Sequence, residues 1–139
     1  MEVDAYPMSS RTAWNEPDVE RIAQHLVRAV VADVEWNDPR DSFVGIDELE
    51  QAVRRLRTSK PDYRFAIMSG IDHHHCRFRY RWDMYRGARC LMEGTDVVTV
   101  DPTSGRITSV DGFFGHLTPL EQGTVNVPHN LQRPPVAID

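Results

Sequence analysis

Cysteine is scarce: only Cys76 and Cys90 occur among 139 residues. Two thiols at that spacing make neither a disulfide framework nor a zinc site, so both are expected buried and reduced. Long apolar runs are also missing, and nothing approaches the ~20 residues that a membrane-spanning helix needs, which excludes a membrane partner of that kind. Met1 to Ser10 lacks a basic stretch followed by an apolar one, so a cytoplasmic location is expected. There is no glycine-rich phosphate loop and no dinucleotide fingerprint, and hence no expected cofactor. A basic surface is lacking too. The formal net charge of −5 argues against nucleic acid as a partner, because binding phosphates takes a surplus of lysine and arginine.

What is present describes an ordinary globular chain, with 40% hydrophobic and 27% charged residues and the length of one domain. Residues 9–31 predict a short helix, a break at Asn15-Glu16-Pro17, and a long helix. In the long helix Val19, Ile22, Ala23, Leu26, Val27 and Val30 recur on one face. His25 falls on the opposite, polar face. The chain turns between Val34 and Pro39, and Gly45 opens a second amphipathic segment with Ile46, Leu49, Ala52, Val53 and Leu56 on one side. Ser59-Lys60-Pro61 stops it.

From there the period changes to two. Tyr63, Phe65 and Ile67 predict one strand, and residues 73–85 a longer one that alternates strictly at Arg77, Phe78, Arg79, Tyr80, Arg81, Trp82 and Asp83. Arg86-Gly87 is the expected hairpin turn, and residues 90–100 return. Asp101 to Gly105 makes another turn, and residues 106–115 complete a meander. Helices followed by an antiparallel sheet give an α+β order, with a cavity expected where a bent sheet leaves the helices. Residues 1–116 are read as this domain and 117–139 as a proline-containing tail, either mobile or lying on a neighbour.

Several short stretches carry a family resemblance. They are Trp14-Asn15-Glu16-Pro17-Asp18, Asn37-Asp38-Pro39 with Gly45, Gly94-Thr95-Asp96-Val97-Val98, Gly105-Arg106-Ile107 and Gly112-Phe113-Phe114-Gly115. In order and spacing over residues 10–116 the chain resembles the nuclear transport factor 2-like superfamily, in its SnoaL-like polyketide cyclase and ketosteroid isomerase branch. The resemblance implies a cone-shaped curved sheet packed on N-terminal helices and enclosing one pocket. It also implies cofactor-independent acid/base chemistry (isomerase, cyclase or dehydratase) on an apolar metabolite, and it leaves room for a non-catalytic binding or dimerisation module. By position, Asp38 corresponds to the isomerase's general base and Asp96 to its oxyanion-hole aspartate. The tyrosine of that site has no counterpart, since Ser10 stands at its place and Tyr6 one turn earlier. A limonene epoxide hydrolase-like reading uses Arg81 and Asp83, two apart on one strand. The second aspartate expected on the last strand is replaced by Gly112, with Asp111 one residue away.

Pairing about Arg86-Gly87 places Arg77 opposite Asp96, so an arginine would line the pocket and hold that carboxylate ionised. The arginine stripe can equally be a solvated face, with Phe78, Tyr80 and Trp82 inward and Asp96 outward. His73 and His75 would share a strand face, but no third ligand is marked, so no metal is expected, and His75 is placed at the pocket rim. Trp36 and Phe114 are expected pocket walls. A small-molecule ligand is the expected partner. A homodimer through the sheet is expected as well, on the ground that a face with Phe78, Tyr80, Trp82, Leu91, Val97, Ile107 and Phe113 is too apolar to stay bare.

Overall fold

The computed structural model describes residues 12–120. Tyr6, Ser10 and the tail from residue 121 onward lie outside the described residues. Within them the α+β class holds, but the order departs from helices followed by sheet, since two strands of the seven-stranded sheet come between the helices. No helix among the described residues is long and apolar enough to cross a membrane.

A 3-10 turn, Val19–Arg21, leads into α1, Ile22–Ala29. Asp18 caps this entry, its side chain accepting from the Glu20 N–H, as short acidic residues do at helix starts. Ile22, Leu26 and Ala29 are the buried stripe. The helix ends one residue sooner than its apolar period suggests, because Val30 already belongs to strand β1, Val30–Asn37. Three β-branched valines between residues 30 and 34 favour the pleated strand over further helix. Strand β2, Ser42–Val44, pairs back on β1, and α2, Ile46–Ser59, buries Leu49, Ala52, Val53 and Arg57. The Arg57 guanidinium donates to the carbonyls of Glu16, Pro61 and Tyr63 at 3.1, 2.7 and 2.5 Å, tying the end of α2 to the N-terminal break and to β3, Tyr63–Ile67.

The sheet runs β2-β1-β7-β6-β5-β3, with β4 (Asp72–His74) also on β5. Its long members are β5 (Arg77–Arg86), β6 (Arg89–Val100) and β7 (Ile107–Phe114). The β1–β7 pair is parallel and the other pairs are antiparallel. The strand expected over residues 73–85 is thus two strands, broken by a turn at His75 and Cys76, which both have positive φ. His73 stacks on Phe78 instead of sharing a face with His75.

The β5–β6 register differs from expectation in a way that decides the inner face. Arg86 pairs with Arg89, so Gly87-Ala88 is the loop, with Gly87 at φ +59° supplying the left-handed residue. One strand turn later the pairing slips, Tyr85 facing Cys90 but Met84 facing Met92, which leaves Leu91 as an extra residue. A one-residue bulge exchanges the faces of everything beyond it. Asp96 therefore stands opposite Tyr80 rather than Arg77, and Arg77 stands opposite Thr99. Phe78, Tyr80 and Trp82 are each 2% exposed, and Asp96 is 1% exposed on the same inner face. The arginine stripe is the outer face, and Asp96 stays inside with the aromatics. Because Phe78, Tyr80, Trp82 and Ile107 belong to the core, they do not form the bare apolar surface that motivated a dimer. Both cysteines are free; Cys90 is exposed rather than buried, and Cys76 is half-buried.

Candidate functional site

Between α2, the N-terminal segment and the inner face of the sheet lies a cavity of about 270 Å³. Its walls are Trp14, Trp36, Phe65, Trp82 and Phe114, with Met84, Met92 and Leu56 filling between them. Asp38 and Asp96 are its acidic members that are not exposed, Ala52 and Gly112 also line it, and exposed Arg40, Asp41, Arg55 and Ser59 complete the lining.

Backbone register brings the two aspartates together. Asn37 of β1 pairs with Asp111 of β7, so Asp38 comes beside Gly112, and Gly112 pairs with Asp96 of β6. The row Asp38, Gly112, Asp96, Tyr80 thus crosses four neighbouring strands on the cavity side. Gly112 keeps it open: a Cβ there would lie 3.1 Å from Asp96 Oδ1 and 3.3 Å from Asp38 Cβ. The two carboxyl groups approach one another across a residue without a side chain.

Each aspartate is held by an indole. Trp36 Nε1 donates to Asp38 Oδ2 at 3.0 Å, while Asp38 Oδ1 takes the backbone N–H groups of Arg40 and Asp41 at 2.8 Å each. The Asx-type turn and the pocket position of Asp38 are therefore one arrangement. The turn fills one oxygen, and the other has a single donor and a second lone-pair direction. Trp82 Nε1 donates to Asp96 Oδ1 at 2.9 Å, and the Tyr80 hydroxyl to Oδ2 at 3.0 Å. This indole can lie so close to β6 only because Gly94 is there, since a Cβ on Gly94 would sit 2.3 Å from a Trp82 ring atom. The other walls are placed by aromatic contacts: Trp36 stacks on Phe43 at 6.2 Å, and Phe114 meets Trp82 edge-on at 5.9 Å. Asn15 pins the N-terminal segment to the sheet edge, its amide donating to the Phe65 carbonyl at 2.9 Å and accepting from the Phe65 N–H at 2.7 Å.

Of the residues singled out from sequence, Trp36, Asp38, Asp96 and Phe114 converge on this cavity. Arg77, Arg81, Asp83 and His75 do not line it. Arg77 donates to the His75 carbonyl, Arg81 pairs with Glu93 at 3.2 Å, and Asp83 accepts from the Tyr85 hydroxyl at 2.8 Å. That hydrogen bond to Asp83 raises the pKa of Tyr85 above its ordinary value. The Arg81–Asp83 pair lies on the face away from the cavity because the bulge at Leu91 reverses β5 relative to β6. His75 sits at the β4–β5 turn, its ring nitrogen 3.2 Å from that of His74. Among the described residues no three His, Cys, Asp or Glu side chains converge as metal ligands. The residues missed from sequence include Trp14, Phe65, Trp82, Met84 and Met92. Phe65 carried a readable signal in its strand alternation; Trp14 lies on a helical turn too short to show a face.

The sequence matches the SnoaL-like domain family over residues 9–110. Among solved structures it is similar to a proposed isomerase of the SnoaL-like family from Agrobacterium tumefaciens, at 28% identity and TM-score 0.73 over 79% of this chain and 94% of that one. It is also similar in fold to a proposed SnoaL-like polyketide cyclase from Shewanella denitrificans, at 12% identity and TM-score 0.60 over 78% and 87%. A cystatin-like-fold protein of unknown function from Methylobium petroleophilum aligns over 94% and 93%, at 14% identity and TM-score 0.65. No curated protein matches the sequence.

Proposed function

The chain belongs to the SnoaL-like domain family, and on that premise we propose that its cavity carries out cofactor-independent proton transfer on a small, largely apolar metabolite, as an isomerase, cyclase or dehydratase does. The observation that carries this reading is the pair of indole-held carboxyl groups, Asp38 and Asp96, flanking Gly112 in an aromatic cavity. Asp38 is the base, because its Oδ2 keeps a lone-pair direction for a substrate proton. Asp96 is the second carboxyl group, positioned by Tyr80 and Trp82 to return a proton to the substrate. Aromatic walls exclude water and position a ring substrate. The name of the Agrobacterium neighbour, at 28% identity, adds support for an isomerase. The epoxide hydrolase reading is not carried forward, since Arg81 and Asp83 face away from the cavity.

The test is Asp38→Asn with a panel of one- and two-ring ketones in deuterated water. Wild type should exchange the α-protons of a bound ketone, and the variant should lose at least about 100-fold of that rate while still binding. Binding without exchange in wild type would make the cavity a non-catalytic ligand site. Pairing with a second copy through the outer sheet face belongs to the same reading. Phe113, 61% exposed, stands there beside Thr95 in the sheet register and would be covered. A dimer mass at micromolar concentration supports this, and a monomer contradicts it.

A further inference from the structure

The chain contains three tryptophans, and all three line the cavity. Two of them donate to an aspartate, as described for Trp36 and Trp82. Trp14 does not. Its Nε1 is buried without a hydrogen-bond partner, and it is the only buried side-chain polar atom so left among the described residues. Native folds rarely leave such a donor unmatched, and where they do a ligand or functional group is a frequent reason. The Trp14 ring is next to that of Trp36, centroids 5.5 Å apart, and Trp36 in turn holds the Asp38 carboxylate. The ring that carries the unmatched donor and the ring that holds the base are therefore neighbours in the wall of one cavity.

We propose that Trp14 Nε1 is the donor that receives the ligand's oxygen, and that the cavity takes a neutral one- or two-ring compound carrying an acceptor oxygen. The inference rests on the proton-transfer reading and adds to it the residue that holds the oxygen. The Asp96 oxygens are engaged by Tyr80 and Trp82, and Asp96 is the group that returns a proton to carbon, so the ligand's oxygen calls for another donor. Trp14 fills that vacancy. When Asp38 Oδ2 takes a proton from the carbon next to a carbonyl, the C–H electron pair becomes the new C=C bond. The carbonyl π pair moves onto oxygen, and the Trp14 N–H stabilises that charge; reprotonation of carbon reverses both shifts. The ligand is neutral because the walls are aromatic and the carboxyl groups of Asp38, Asp41 and Asp96 outnumber the exposed Arg40 and Arg55 in the lining. It is small because about 270 Å³ is the share of roughly nine liquid waters.

The experiment pairs a ketone with its parent hydrocarbon, 2-indanone with indane and 2-tetralone with tetralin. Binding is read by intrinsic tryptophan fluorescence and by the three indole N–H signals in a nitrogen–proton correlation spectrum. In Trp14→Phe, which keeps an aromatic ring and removes the donor, the ketone-to-hydrocarbon affinity ratio should fall about tenfold, the usual worth of one buried hydrogen bond. Asp38→Asn is read by its loss of deuterium exchange and Trp14→Phe by the affinity ratio, so failure of the base and failure of the donor are told apart. In wild type the Trp14 N–H signal should move downfield with the ketone and not with the hydrocarbon, a readout that needs no variant to fold. An equal ratio in wild type and Trp14→Phe, a Trp14 signal indifferent to saturating ketone, or no ketone binding at millimolar concentration would each overturn the proposal. The first two would mean that the N–H is satisfied by the ring of Trp36 or Phe65.

Discussion

Replacing Asp96 separates what it does for the fold from what it does for the site. Tyr80 and Trp82, each 2% exposed, both donate to its carboxylate. Asp96→Leu leaves two buried donors unmatched, at about 1–3 kcal/mol each, partly offset by the apolar volume gained and the carboxylate no longer buried. A net loss of about 3 kcal/mol is expected. Asp96→Asn is milder. Its Oδ1 must face Trp82, whose indole can only donate, and its Nδ2 then faces the Tyr80 oxygen, which can accept. That arrangement should cost about 1 kcal/mol. Urea unfolding followed by tryptophan fluorescence reads the difference: with a slope of about 2 kcal/mol/M, the two midpoints should lie about 1 M apart. The asparagine variant, folded, should nonetheless lose about 100-fold or more in proton-transfer rate. Equal midpoints for the two variants would refute the idea that Tyr80 and Trp82 depend on this carboxylate.

Other substitutions probe the parts that build the cavity. Gly94→Ala places a Cβ 2.3 Å from the Trp82 ring and 2.6 Å from the Phe113 carbonyl oxygen, so strand or indole must shift; a loss of about 2–3 kcal/mol and altered tryptophan emission are expected in the same titration. Arg57→Met keeps the buried stem but strips three carbonyls of their donor, and should cost about 3 kcal/mol in thermal or urea unfolding. The Glu16 carboxyl is held below its ordinary range, chiefly by the hydrogen bond to His25 and then by the Asp18 N–H. A depressed folded value means that this contribution is complete above a pH of about 4.5 and is lost as pH falls through the folded value. Glu16→Gln should therefore flatten the acid limb of the stability–pH curve.

Much of this architecture is legible in the residues because it follows local periodicity. The faces of α1 and α2, the meander of β5 to β7, and the convergence of Asp38 and Asp96 all follow from spacing and from the resemblance it carries. What sequence hides is what one residue of slip controls. The extra residue at Leu91 has no compositional mark, yet it carries Arg77, Arg79 and Arg81 outward and keeps Asp96 beside Tyr80. The His75-Cys76 turn is hidden for a related reason, since glycine or asparagine is expected where φ is positive and neither is there. The end of α1 at Ala29 was obscured because Val30 fits a helical face as well as a strand. Trp14 shows nothing in its neighbours along the chain, because its burial comes from Trp36 and Phe65, distant in sequence.

The most direct measurement is a crystal structure of the protein with 2-indanone bound. The account predicts the ring between the tryptophans, an α-carbon about 3–3.5 Å from Asp38 Oδ2, and the carbonyl oxygen toward Trp14 Nε1. A ketone seated on the outer face, or one in the cavity with its α-carbon turned away from Asp38, would contradict it.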